Sequence, residues 1–399
     1  MPAGRISMAD NEFPLVQFMR DGFDPVGELG RIRAEHPVFP MEIPGGQTVY
    51  LVTRWEDVRG VLGDHERFSN DFAGVIGLGS NQEDPGGLGF RDPPEHTRLR
   101  KFLTPEFTVR RLRRLEPRIA AMVEESLDRI EAKGAEGMPV DLVEEFALPI
   151  PSLVVCELLG VPYDERADFV KLSKDRFDFT AGPEASLQAI NDAMAYLTDL
   201  VARERQDPGE GLLGQLLRDH GDELDDRTLA SMADGLLTGG HDTSTSMLAL
   251  GTLWLLRNPE QAAKVREVDG YINDVVEELL RYMTVVQVAF PRFARDDMEL
   301  HGVPIKKGEM VLCSLTGANR DPSLGDDMDV VRPGRDVVGS HMAFGHGIHR
   351  CIGAPLAQME MRIAFPALLR RFPGLRVAGE VPFRELAIVY GVKELPVAW

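Results

Sequence analysis

Cysteine is scarce: Cys156, Cys313 and Cys351 are the only three in 399 residues. Three thiols cannot build a disulfide framework or a four-cysteine metal site, and a reducing cytoplasm suits them. Cys156 and Cys313 lie in apolar runs (PSLVVCELLG and MVLCSLTG) and read as small core residues. No run of about 18 apolar residues occurs, so no membrane span is expected. The first residues, MPAGRISMADNEFP, lack the apolar stretch of a signal peptide. Positive charge is also short, with 44 basic against 64 acidic side chains and a net charge of −20. Nucleic acid and anionic membrane are poor general partners for such a surface.

What is present is an ordinary globular composition, 43% hydrophobic and 27% charged, long enough to bury a large core around a cofactor. Residues 1–35 read as an irregular arm leading to a short helix. Residues 48–53 (TVYLVT) read as a strand. Residues 70–92 are glycine-rich and aperiodic, a long loop of the kind that carries function. From Pro94 to about Arg205 the pattern is helical, with 3–4 spacing over 113–132. Residues 226–257 predict one long helix, capped by Asp225 or Asp226 and ended by Asn258-Pro259. Its acids and glycines rule out a lipid-facing span and make it a buried central helix. A helix follows over 270–283, β-hairpins over 288–313, a helix after Gly353, and a β-like tail from Val377. With no repeat or linker, residues 1–399 read as one mainly α domain with a smaller β part.

The most informative segment is Phe344-Gly345-His346-Gly347-Ile348-His349-Arg350-Cys351-Ile352-Gly353. Glycines let backbone approach a large flat ligand. The helix that starts at once offers free N–H groups to a thiolate. Such surroundings lower a cysteine pKa. A core cysteine in a glycine turn is the bland alternative. The spacing F-G-x-G-x-H-x-C-x-G, however, resembles the haem-binding loop of the cytochrome P450 family, in which a thiolate ligates haem iron.

Three further segments resemble that family in the right order, so the likeness runs from about residue 92 to 360. Glu278 and Arg281, three apart on one helix face, are similar to its buried Glu–Arg pair. Arg332 is the first choice for the third member of that network and Arg335 its rival. Gly239-Gly240-His241-Asp242-Thr243 falls in the middle of the long helix, where two glycines cost about 1 kcal/mol each. Thr243 can bond back to the Gly239 carbonyl. A kinked packing helix is the bland reading. The likeness implies instead that Asp242 relays protons, Thr243 steadies dioxygen, and the glycines make room for cofactor and gas. His96, Arg100, Arg292 and His349 match the cations that hold the haem propionates.

The family likeness therefore implies haem b between the long helix and the cysteine-loop helix, Cys351 on the iron, and dioxygen as co-substrate. It places substrate against the 70–92 loop, Leu236, Gly239, Gly240, Val285 to Val288 (Val286 and Val288 above all) and Ile388-Val389, with Phe177 to Thr180 as roof. These residues are mostly apolar, so a hydrophobic organic substrate is expected, hydroxylated or epoxidised in natural-product biosynthesis. Electrons are expected from a separate ferredoxin and its reductase. The cations Arg98, Lys101, Arg110, Arg111, Arg113, Arg114 and Arg350 would face that partner. Oxidation without oxygen insertion (coupling or desaturation) is an alternative chemistry, and a non-catalytic haem sensor or carrier an alternative class.

Overall fold

The longest element is a helix of 32 residues, Asp226–Arg257, with the bounds the sequence predicts. The Asp225 carboxylate accepts from the Thr228 N–H at 2.7 Å, which satisfies one of the orphan donors of the first turn. Asn258 ends the helix, and Pro259 opens the next, Pro259–Glu267. From Ser244 to Leu255 every residue is buried. A helix enclosed on all sides has no polar stripe to show, which is why its apolar residues keep no clean period. Helices Pro149–Leu159, Pro183–Gln206, Tyr271–Met283 and Ala354–Arg371 pack against it. Gly251 lets the last of these come close, since a Cβ there would fall 2.5 Å from the Phe365 ring.

The computed structural model describes residues 15–43, 47–71, 87–135, 137–176, 183–336 and 341–399. The expected loop at 70–92 and the expected roof Phe177 to Thr180 therefore lie mostly or wholly outside the described residues. The helical stretch from Pro94 onward is real but broken. Helices Glu95–Leu103 and Glu116–Gly134 are separated by short turns, and a π-helical turn, Val143–Ala147, precedes Pro149–Leu159.

The β part is small and joins distant stretches of chain. A five-stranded sheet runs in the order Val38–Ile43, Gln47–Val52, Met310–Cys313, Arg292–Ala294, Phe68–Ser69. Met310–Cys313 pairs parallel with the second strand, Met310 opposite Val49, and antiparallel with Arg292–Ala294. A second sheet pairs Pro396–Ala398 with Arg376–Val377 and with Val140–Asp141. Cys156 and Cys313 are fully buried, as core residues should be, and burial pushes both thiols up to about 12. Among the described residues no helix is long and apolar enough to cross a membrane.

Candidate active site

The glycine-rich segment before Cys351 folds as a tight loop held by its own backbone. The Gly345 N–H donates to the Met342 carbonyl at 2.8 Å, and the Cys351 N–H donates to the Phe344 carbonyl at 2.9 Å. Gly345 and Gly347 have φ of 68° and 72°, a region that resists side chains. At Gly347 a Cβ would also fall 2.4 Å from the Leu62 carbonyl oxygen. Gly353 then caps the helix Ala354–Arg371, with Pro355 in its first turn. Cys351 is exposed. Burial pushes its thiol up, while the N–H groups of Gly353 and Ala354 and the guanidinium groups of Arg100 and Arg350 pull the other way. Among the described residues no three His, Cys, Asp or Glu side chains gather to hold a bare metal ion. A single thiol suits an iron that brings its own macrocyclic ligands.

Beside the cysteine loop, His96 and Arg100 of one helix, Arg292 and His349 converge from three separate stretches of chain. The rings of His96 and His349 meet at 4.1 Å between centroids, tilted by 46°. Both nitrogens of His96 and Nε2 of His349 are buried with no hydrogen-bond partner. Burial and the neighbouring cations drive His96 down to about 4 and His349 to about 3. Arg292 is buried, and burial lowers its pKa. Arg100 donates to the Arg350 carbonyl at 2.7 Å. Buried donors without acceptors are costly unless an anion completes them. The two propionates of haem are such an anion, so the residues present fit that group.

The middle of the long helix is not fully wrapped. Leu236, Thr238, Gly239, Gly240, Asp242 and Thr243 are at least partly exposed, between buried stretches at 229–234 and 244–255. The Thr243 hydroxyl donates to the Gly239 carbonyl at 2.6 Å, the back-bond that the sequence predicts. Gly239 faces open space, with nothing within 4 Å of a Cβ placed there. Gly240 is confined on one side. Its Cβ would sit 2.9 Å from Val155 Cγ2, so its small size serves helix packing. The Asp242 carboxylate accepts from Arg384 Nη1 at 2.7 Å, a partner no motif announces. His241 is buried, and its Nδ1 meets the Ser152 hydroxyl at 2.8 Å. That hydroxyl donates to the Leu148 carbonyl, so the imidazole is the donor. Val286 bridges Val389, which brings two expected pocket residues together, and Val288 bridges Ser314 while buried.

Glu278 and Arg281 form the buried pair that the likeness implies, with two contacts of 2.8 Å and no exposure. The third cation is Arg335, not the first choice Arg332. Arg335 Nε reaches Glu278 at 3.1 Å while its other nitrogens donate to the Asp326, Asp327 and Val330 carbonyls. Arg332 offers only its backbone N–H, at 2.8 Å. The Arg332 side chain leaves the core because the turn at Pro333-Gly334 (φ 80° at the glycine) reverses the chain and delivers Arg335 inward. Burial pushes the Glu278 carboxyl up, but Arg281, the Arg332 N–H and Arg335 outweigh it and hold it low. Asn319, which sequence reasoning missed, transmits this grip. Its carbonyl accepts from Arg281 at 2.9 Å, and its side-chain oxygen accepts from the Met342 N–H at 2.6 Å, at the root of the cysteine loop. Its setting, LTGANRDP, gives no motif that would have marked it.

A lone thiol in a glycine-rich loop, a half-uncovered glycine–acid–threonine turn, and a cluster of two histidines and two arginines suited to a dianion together define the haem-thiolate class of enzyme. Comparison with known proteins names the family. The Cytochrome P450 family model matches residues 24–208 and 210–380. Cytochrome P450 FAS1 of Rhodococcoides fascians is 41% identical over 97% of this chain and 99% of its own. Mycinamicin IV hydroxylase/epoxidase of Micromonospora griseorubida is 38% identical over 95% and 96%. The solved structure of P450 StaH, from glycopeptide antibiotic A47934 biosynthesis, superposes with a TM-score of 0.86 at 42% identity, covering 96% of this chain and 99% of that one. The chain belongs to the cytochrome P450 family. It is a monooxygenase of that family, which uses haem with an axial cysteine thiolate and dioxygen.

Proposed function

We propose that residues 1–399 form one cytochrome P450 domain in which Cys351 is the axial ligand. The reaction is insertion of one oxygen atom into a mostly hydrophobic natural product, by hydroxylation or epoxidation. The observation that carries this reading is the cluster of His96, Arg100, Arg292 and His349, in which both ring nitrogens of His96 and Nε2 of His349 are buried without a hydrogen-bond partner. When bound, haem supplies the activation of dioxygen. Phe344, Gly345 and Gly353 shape the loop that admits it, and Gly239 leaves room on the opposite side.

The chain's own part in the chemistry is proton handling. The Thr243 hydroxyl spends its proton on the Gly239 carbonyl, so its oxygen lone pairs stay available to accept. Asp242 is the carboxylate placed to carry protons inward to that hydroxyl. Leu236, Val286, Val288 and Val389 give the substrate side an apolar lining. The names of the mycinamicin and glycopeptide relatives support a tailoring role in antibiotic biosynthesis.

Electrons come from a ferredoxin and its reductase, in the cytoplasm. Of the cations expected to face that partner, Arg98 pairs with Glu95, and Arg111 and Arg114 pair with Glu106. Lys101, Arg110, Arg113 and Arg350 stay exposed without an ion-pair partner among the described residues, and these would steer an acidic protein. The test is the spectrum of the dithionite-reduced protein under carbon monoxide. A Soret band shifted far to the red, absent in Cys351→Ala, is expected. An ordinary haem–CO band in the wild type would overturn the thiolate assignment. Product analysis then separates oxygen insertion from coupling.

A further inference from the structure

Arg20 opens the short strand Arg20–Asp21 and sends its side chain behind residues 283–287, far along the sequence. Its Nε donates to Gln287 Oε1 at 2.7 Å, and Nη1 donates to the Phe23 carbonyl at 3.0 Å. Nη2 meets three acceptors, the Met283 and Thr284 carbonyls at 2.9 and 3.1 Å and the Thr316 hydroxyl at 3.0 Å. The guanidinium also lies over the Tyr390 ring, 4.7 Å from its centroid.

None of these partners is a carboxylate. Asp24 is near enough to act on Arg20, but it accepts instead from Arg320 at 3.0 Å and from the Tyr282 hydroxyl at 2.7 Å. Burial and the charge of Arg320 lower the Arg20 pKa to about 9. A sheltered cation without an anion is a costly way to hold a fold together, and stability alone would favour an apolar side chain.

What this cation holds is the back of the substrate wall. Successive residues of an extended chain face opposite sides. Val286 and Val288 therefore face away from Gln287, which is wholly buried. Gln287 extends the grip, donating from Nε2 to the Ala387 carbonyl at 2.6 Å and from its N–H to the Ile388 carbonyl at 3.2 Å. Tyr390, the ring beneath Arg20, donates its N–H to the Val285 carbonyl at 2.7 Å. Val389 is thus pinned on both sides. At the head of the wall Thr284 has a left-handed backbone (φ 41°), which a β-branched residue resists. Its carbonyl is one of the acceptors of Arg20, so the guanidinium helps to hold that turn.

We propose that Arg20 is a positioning residue for the substrate side, fixing from behind the spacing of Val286, Val288 and Val389 and so helping to decide which molecules fit. Without it, Gln287 and the segment 387–390 are free to shift. A wall already in shape favours a ligand that matches it, because little ordering is left for binding to do. The proposal rests on the reading of these valines as pocket lining.

The experiment uses the haem-loaded full chain and two ligands of ferric iron, imidazole and 4-phenylimidazole, each titrated by its Soret shift. Imidazole is too small to need the wall, whereas the phenyl ring presses on it. Arg20→Gln should weaken 4-phenylimidazole about tenfold or more and imidazole by no more than about twofold. Equal weakening of both, the mark of a merely structural role, would overturn the proposal. Arg20→Lys, which keeps the charge with fewer donors, should fall between. Gln287→Met cuts the link to 387–390 and should change the same ratio. The double variant should then add little to the larger single effect, and additive effects would sink the transmission through Gln287. Should Arg20→Gln fail to retain haem, Arg20→Lys and Gln287→Met carry the same comparison. Val286→Ala and Val389→Ala test the lining itself. An unchanged ratio in both removes the pocket reading and the proposal with it. A changed ratio there, beside a wild-type ratio in Arg20→Gln, removes the positioning role alone.

Discussion

At Cys351 two opposing influences act on one sulfur. Burial favours the thiol, while two N–H groups at a helix start and two guanidinium groups favour the thiolate. At His96 and His349 burial and the neighbouring cations likewise favour the neutral ring. Removing one donor should weaken haem retention. His96→Ala or Arg100→Ala is expected to speed haem transfer to an apo-globin acceptor by roughly 10- to 100-fold, the worth of one charge-assisted hydrogen bond. Thr243→Ala should leave the carbon monoxide spectrum intact and divert reducing equivalents to peroxide, read as product formed per NADH consumed. Glu360 offers a test independent of turnover. It is buried, Oε2 lacks a partner, and burial raises its carboxyl to about 8. The unfolded chain releases this proton near 4.5, so the folded state binds more protons between those values. Stability should therefore fall as pH rises through that window, and Glu360→Gln should flatten the dependence in urea melts.

Among elements, the long helix was the most legible. Its caps, Asp225 and Asn258-Pro259, are local chemistry, and its odd central glycines already pointed to a ligand. The cysteine loop was legible because its spacing is too specific for a turn. Arg335 was not, because which of two arginines enters the core depends on a turn at Pro333-Gly334 rather than on any period. Arg384 and Asn319 were illegible for a plainer reason. Each acts on a residue far away in sequence, Asp242 and Met342, through a contact only the fold creates. The Glu278 network permits a sharp comparison. Arg335→Ala leaves a buried carboxylate short of a cation and should cost about 3–5 kcal/mol. Arg332→Ala keeps the backbone donor and should cost within about 0.5 kcal/mol. Denaturant midpoints of the two variants decide between the arginines.

For the whole molecule, net charge and local charge point in opposite directions. A chain of net −20 repels an acidic protein at long range, so in the proposed docking of a ferredoxin the exposed Lys101, Arg110, Arg113 and Arg350 would act locally. Their reach is about 8–10 Å at ordinary ionic strength. Reversing Lys101 and Arg113 to Glu should slow ferredoxin-dependent reduction by at least about tenfold at low salt, with little change at high salt. Stopped-flow reduction across a salt series measures both limits, and a salt-independent loss would point to a fold defect instead.

The sheet that pairs Met310 with Val49 also sets a schedule for synthesis. The strand Gln47–Val52 leaves the ribosome with one edge bare, and its parallel neighbour is made about 260 residues later. At roughly 5–20 residues per second, that edge waits some 13–50 s. Until then it is an open template for other chains. The cysteine loop is translated later still, so the cofactor can be captured only by a nascent protein whose helices have already gathered. Cells that run short of haem would therefore accumulate an almost finished chain, and its survival would depend on chaperones that shield the early strands.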